Sequence, residues 1–279
     1  MARWMMICGD RVQSSRFKVQ GSRFKVQSSK LKALFDQALK RGKTLLMPDS
    51  WTRALNLYCY PVDLGGYQRR NEFPGFFEIL ISGDRNSTIA FENHFRENAP
   101  NNIAAYFEVV FWKLFSFPLV RQGSTNRIVD YVRNYDIKPN VLWDAVLQFI
   151  ENQNIDNLKN IRKKLGIKAR VLAITLTFPA LACPEKIPMI DRQVARWVNL
   201  NSVNHSINTK KTLTNFNNMI IMDNDFNSYL NLIEWCKEIA EVLTSLSKQQ
   251  WRARDVEMAV FTAQRNNLPL NPLTRNSGT

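Results

Sequence analysis

A lysine that opens an apolar helical stretch and an aspartate that follows a proline-bearing loop are the residues of this chain best suited to chemistry. Lys168 stands just after Leu165-Gly166-Ile167 and leads into Val171-Leu172-Ala173-Ile174; Asp191 follows Ile187-Pro188-Met189-Ile190. An amine at the edge of an apolar helix is partly desolvated, which favours its neutral form and frees it as a nucleophile. A carboxylate beside it can stabilise developing positive charge and help activate the amine. Gly166 takes positive φ without steric cost, so it can turn backbone N–H groups outward. With the following helix N-terminus it would then offer an anion site, and Lys163 and Lys164 add charge at the same point. Such a site would position a polyanion without reading its sequence.

Each residue also has an ordinary reading. Aspartate at a helix start is most often an N-cap, a lone lysine is usually a solvated surface cation, and a glycine after a helix is a common C-terminal cap. What favours chemistry is their order and spacing, with apolar helices between them.

Those helices read as follows. Residues 155–164 form a short helix, 168–181 an apolar one after the tight turn, and 191–200 a third. Apolar spacing predicts further helices over 30–41, 87–97, 102–116, 124–134, 140–151, 224–246 and 252–265. The 102–116 segment lacks a polar face and therefore belongs at the centre of the domain. Asn140 and Asp191 stand at predicted helix starts. The Pro- and Gly-punctuated stretch 42–85 predicts irregular turns with one short strand at Phe76 to Ile81, and the Asn-, Ser- and Thr-rich stretch 201–222 predicts a loop. The expected class is all-α.

The stretch Asn157 to Asn199 resembles the helix-hairpin-helix DNA glycosylases, the endonuclease III and 8-oxoguanine glycosylase superfamily. In that family a hairpin of the form L-P-G-V-G-x-K-x-A precedes an apolar helix and a loop of the type V-D-x-x-x-x-R. Gly166 falls at the second hairpin glycine, Lys168 at the lysine, Phe178 near the end of the helix, Ile190-Asp191 at the Val-Asp pair and Arg196 roughly at the basic residue beyond it. Lys163 and Lys164 stand where the family has Pro and the first Gly, and the loop before Asp191 is longer. The archaeal 8-oxoguanine glycosylase branch tolerates both a degenerate hairpin and a longer loop, so the resemblance is to that branch.

The resemblance implies two helical lobes with a DNA-binding cleft between them. Lobe A would comprise 30–102 and 191–279, and lobe B, 103–190, would carry the hairpin. It implies Lys168 and Asp191 as the catalytic pair and Lys163, Lys164, Gly166, Ile167 and Arg196 as DNA contacts. The reaction would be excision of a damaged base, an oxidised purine by preference. Lys168 would attack the sugar C1′, and the resulting Schiff base would permit strand cleavage as an abasic-site lyase. The partner is double-stranded DNA with a damaged base or abasic site, met by a monomer without cofactor or metal. A flipped base needs an aromatic pocket, for which Trp4, Trp51, Tyr58, Tyr60, Tyr67, Trp112 and Trp143 are candidates.

Bulk properties are compatible with that partner. The chain of 279 residues carries a formal charge of +14, as polyanion-binding proteins often do. Half of that excess lies in residues 1–32, where a seven-residue repeat (Gln13-Ser-Ser-Arg-Phe-Lys-Val, then Gln20-Gly-Ser-Arg-Phe-Lys-Val) makes 1–29 a basic, poorly ordered extension. The folded part, 30–279, is only moderately basic. Cys8, Cys59, Cys183 and Cys236 are scattered, as are His94 and His205, which predicts neither a disulfide framework nor a metal site. No stretch is long and apolar enough to span a bilayer, and the N-terminus has no secretory pattern. The expected location is cytoplasmic, at the nucleoid.

Two other classes remain open from the sequence: a helix-hairpin-helix DNA-binding protein without catalysis, in which Asp191 only caps its helix, and an unrelated helical interaction protein with incidental basic charge. The C-terminal run Trp251 to Met258 reads as a packed terminal helix whose charges, Arg252, Arg254, Asp255 and Glu257, form surface ion pairs.

Overall fold

A computed structural model describes residues 48–60, 62, 67, 69, 72, 83–115, 122–168, 172–202, 213–217, 221–247 and 249–270. The expected helix at 30–41, the strand at Phe76 to Ile81, the repeat extension, Trp4 and His205 lie outside them. Among the described residues the protein is all-α, and its only extended pairing is an isolated bridge between Cys59 and Asp84.

Eleven helices follow one another among the described residues: α1 Pro48–Asn56, α2 Arg85–Asn98, α3 Ala104–Leu114, α4 Gln122–Asn134, α5 Pro139–Glu151, α6 Ile155–Lys164, α7 Leu172–Thr175, α8 Thr177–Ala182, α9 Arg192–Asn201, α10 Phe226–Leu246 and α11 Ala253–Asn266. Several starts are set by side-chain caps that satisfy orphan backbone donors. Asp84 accepts from Ser87 N–H at 2.8 Å to open α2, and Asn154 accepts from Asn157 N–H at 2.8 Å to open α6. Helix α5 differs from expectation. Lys138 occupies its N-cap position and Pro139 the first turn, so Asn140 lies inside the helix; proline fixes the helical φ and needs no N–H there.

The expected single helix over 168–181 is also divided. Residues 172–175 and 177–182 form α7 and α8. Pro179 has no N–H for the carbonyl of Thr175, and its ring crowds that carbonyl, so the helix is interrupted at Leu176. Helix α1 carries no clear sequence signal, because the prolines and glycines around it mask nine residues of regular structure.

As its composition predicts, α3 is buried nearly all round, from Ala105 to Leu114. Phe178 of α8 stacks on Tyr106 of α3, with centroids 5.8 Å apart, and also meets Phe95 of α2 at 6.3 Å. Helix α2 therefore packs on α3 and α8. A second aromatic centre joins the chain's ends: Trp235 of α10 lies 6.2 Å from Trp51 of α1 and 5.7 Å from Trp197 of α9. Helix α11 packs against α1, α9 and α10.

Candidate nucleic-acid interface and the Asp191 cap

Helix α6 ends where the residue types say it should. Gly166 has φ of +64°. Its N–H donates to Lys163 O at 3.2 Å, and the Ile167 N–H reaches back to Arg162 O at 3.0 Å. This is a Schellman termination, in which the last helical carbonyls are satisfied by the turn itself. It corrects one expectation: the Gly166 and Ile167 N–H groups point into the helix end and are not offered outward. The described part of α7 is Leu172–Thr175. Any anion held here would meet side chains.

Those side chains are available. Lys163 and Lys168 are exposed and Lys164 is half-exposed, and none of the three makes an ion pair with a described residue. Arg162 is different: its guanidinium makes a bidentate pair with Asp223, at 2.7 and 3.0 Å. This fork-to-fork geometry ties α6 to the turn before α10. Leu172 N–H donates to Ile221 O at 3.0 Å, so both sides of the hairpin are fastened to the same segment. Beneath the turn lies the ring of Tyr131 from α4, in the space a side chain at Gly166 would need.

Asp191 is the N-cap of α9. Its Oδ1 accepts from Gln193 N–H at 2.8 Å and Val194 N–H at 2.9 Å. Oδ2 accepts no hydrogen bond from a described residue, and the residue retains 7% of its exposure. The preceding loop is held from below, where Tyr229 Oη donates to Pro188 O at 2.9 Å. One oxygen of this carboxylate is thus fixed by the helix and the other is left unengaged by the described residues. No hydrogen bond or ion pair joins Asp191 to Lys168. Arg196 is exposed on the same helix.

The aromatic candidates are mostly core residues. Trp51, Tyr58, Tyr60, Tyr67 and Trp112 are all buried; Trp143 alone among those described is partly exposed, packing on Phe95 at 6.0 Å. An open cleft of about 670 Å³ lies elsewhere, lined by Glu185, Lys186, Lys237, Glu241 and Trp251 among others, and neither Lys168 nor Asp191 borders it. Among the described residues no cluster of His, Cys, Asp or Glu is placed to hold a metal. His94 lies 2.6 Å from Glu108 through Nε2, so it links α2 to α3 rather than standing isolated on a surface. Cys183 and Cys236 are free thiols.

The largest departure concerns the C-terminal charges. They are not surface pairs: Asp255 is fully buried, with Arg254 at 1% and Glu257 at 4% exposure, and they meet a fully buried Glu92 from α2. Arg252 donates to Glu92 and to both oxygens of Asp255, which also accepts from Arg85 at 3.1 Å. Arg254 pairs with Glu257 and lies over the Trp112 ring, 5.9 Å from its centroid. Burial pushes the Glu92 carboxyl up, while the arginines oppose that shift. A sequence signal existed: Ala253 to Ala263 leaves no polar face apart from these charges.

No helix of the described residues is long and apolar enough to cross a membrane. The chain matches no family model, no curated protein and no solved structure.

Proposed function

We propose that this protein is a DNA repair glycosylase of the helix-hairpin-helix type, with Asp191 and Lys168 as its catalytic carboxylate and amine. The observation that carries the reading is the state of Asp191: a carboxylate fixed through Oδ1 by two backbone N–H groups, with Oδ2 unengaged by the described residues. A helix cap alone needs only the first oxygen. The second can face the positive charge that develops on a sugar as its base departs, the kind of preorganised electrostatic role that stabilises a transition state. Lys168 is exposed and makes no ion pair with a described residue, so the desolvation expected from the sequence is not provided by the protein alone; on this reading the bound DNA supplies it, and the neutral amine then attacks the sugar C1′. The C1′–N bond breaks as the base leaves, and the amine nitrogen takes its place at C1′; loss of a proton and ring opening give the Schiff base that permits strand cleavage.

Duplex DNA with a damaged base, an oxidised purine by preference, is the substrate on this reading. It would lie across a cleft between the helices of 103–190 and those at the chain's ends. Lys163, Lys164 and Arg196 would carry its phosphates, with Gly166 and Ile167 shaping the turn that presents them. The protein would act as a monomer at the nucleoid.

Borohydride trapping on DNA containing an abasic site, and on DNA containing 8-oxoguanine, tests the reading. A covalent adduct that disappears in Lys168→Ala supports the amine nucleophile. Base release without an adduct keeps Asp191 and removes Lys168. Neither adduct nor base release removes catalysis and leaves a second reading, a non-catalytic DNA-binding protein. That reading is favoured by the lack of any bond between Lys168 and Asp191.

A further inference from the structure

The end of α4 presents a feature that neither catalysis nor packing requires. Tyr135 is 66% exposed, far more than the buried tyrosines of the core. It is not a loose side chain on an isolated loop. Its ring packs against that of Tyr131, with centroids 4.5 Å apart and planes tilted by 40°. Tyr131 in turn lies against Gly166, in the space a Cβ there would fill. The hairpin, an inner ring and an outer ring are therefore in contact one after another, and the outermost of them is largely exposed. The backbone fixes this arrangement: Tyr135 N–H donates to Tyr131 O at 3.0 Å, and Asp136 continues the turn at φ of +46°.

Charge around the stack is complementary to one class of partner. Lys163, Lys164 and Lys168 flank Gly166 and carry no ion pair with a described residue. The nearby Asp136 carboxylate forms an exposed ion pair with Lys138 at 2.6 Å, which offsets part of its charge. An exposed aromatic face joined through Tyr131 to a turn that carries such cations suits a nucleotide whose base is out of a duplex: the base stacks on the ring and the adjoining phosphates meet the lysines.

We infer that Tyr135, supported by Tyr131, is a stacking platform for an unpaired base of a nucleic-acid strand held by Lys163, Lys164 and Lys168. The inference rests on the nucleic-acid part of the proposed function and goes beyond it, since it assigns the hairpin a preference for unpaired nucleotides. It is independent of the chemistry at Asp191.

The test is anisotropy of a fluorescent oligothymidylate, with an equal-length duplex as comparison, across a range of salt. Tyr135→Ala is expected to weaken single-strand binding on the order of tenfold, the size of one stacked base, with the salt slope unchanged. Tyr135→Phe retains the affinity, because the ring and not the hydroxyl meets the base. Lys163→Ala/Lys164→Ala lowers both affinity and the salt slope, the latter by about 0.7 for each single-strand phosphate no longer neutralised. Light-driven cross-linking of a 5-iodouracil oligonucleotide is expected to mark Tyr135. If Tyr135→Ala binds like the natural protein while the lysine variant is weakened, the platform is overturned and the nucleic-acid reading stands. If the natural protein binds neither single strand nor duplex, both are overturned.

Discussion

Arg252, at the N-cap of α11, donates through Nη1 to Glu92 Oε2 of α2 at 2.6 Å, across 160 positions of sequence. Because α11 otherwise packs on α1, α9 and α10, while α2 packs on α3 and α8, this hydrogen bond fastens one end of the chain to its middle. Glu92 is fully buried, so water cannot replace its partners. Glu92→Ala would leave Arg252 and Arg254 charged without this carboxylate, and is expected to cost about 3–5 kcal/mol. Urea unfolding measures it. A loss under about 1 kcal/mol would show that the buried charges are not mutually dependent.

The same network predicts an acid sensitivity. Burial alone would raise the Asp255 carboxyl, but the hydrogen bonds and charges of Arg252 and Arg85 outweigh it and hold the group below the ordinary aspartate value. A depressed folded value contributes stability above the unfolded pKa, near pH ~4, and that contribution is lost as pH falls through the folded value. Burial of Glu92 works in the opposite sense, so the comparison must isolate one group. The melting temperature of the natural protein should fall more steeply below pH ~4 than that of Asp255→Asn. Parallel curves would remove Asp255 from the acid response.

Gly166 is required twice over. Its φ is left-handed, and a Cβ there would meet the Tyr131 ring. Gly166→Ala is expected to lose about 1–2 kcal/mol from the backbone alone, with the steric conflict added. Combining it with Tyr131→Ala should relieve the conflict but not the backbone cost. Thermal unfolding of the two single variants and the double variant separates the contributions; strictly additive losses would show that the ring does not meet the turn.

Asp191 allows capping and catalysis to be told apart. Asp191→Ala is expected to destabilise by ~1 kcal/mol, the usual value of a cap, whereas Asp191→Asn keeps an acceptor for the Gln193 and Val194 N–H groups and stays near natural stability. On the proposed mechanism both variants lose base release, because an amide carries no negative charge for the departing sugar. Full activity in Asp191→Asn would confine the residue to its capping role.

Much of the helical order was legible because it depends on local rules. The apolar spacing of 155–164 and 224–246, the cap at Asp191 and the glycine termination at Gly166 are properties of a few neighbouring residues, and the structure places them within about two positions of expectation. What the sequence could not decide depends on partners far along the chain. Nothing near Arg252 says that Glu92 will meet it, so charges that read as surface pairs are buried instead. Nothing near Gly166 says that the ring of Tyr131 will lie beneath the turn. By itself, the sequence determined most of the helices and the residue types available for chemistry. Only tertiary packing decided which charges left water, which carboxylate oxygen stayed free of the described residues and which tyrosine stayed exposed, because burial and pairing are set by residues brought together across long stretches of chain.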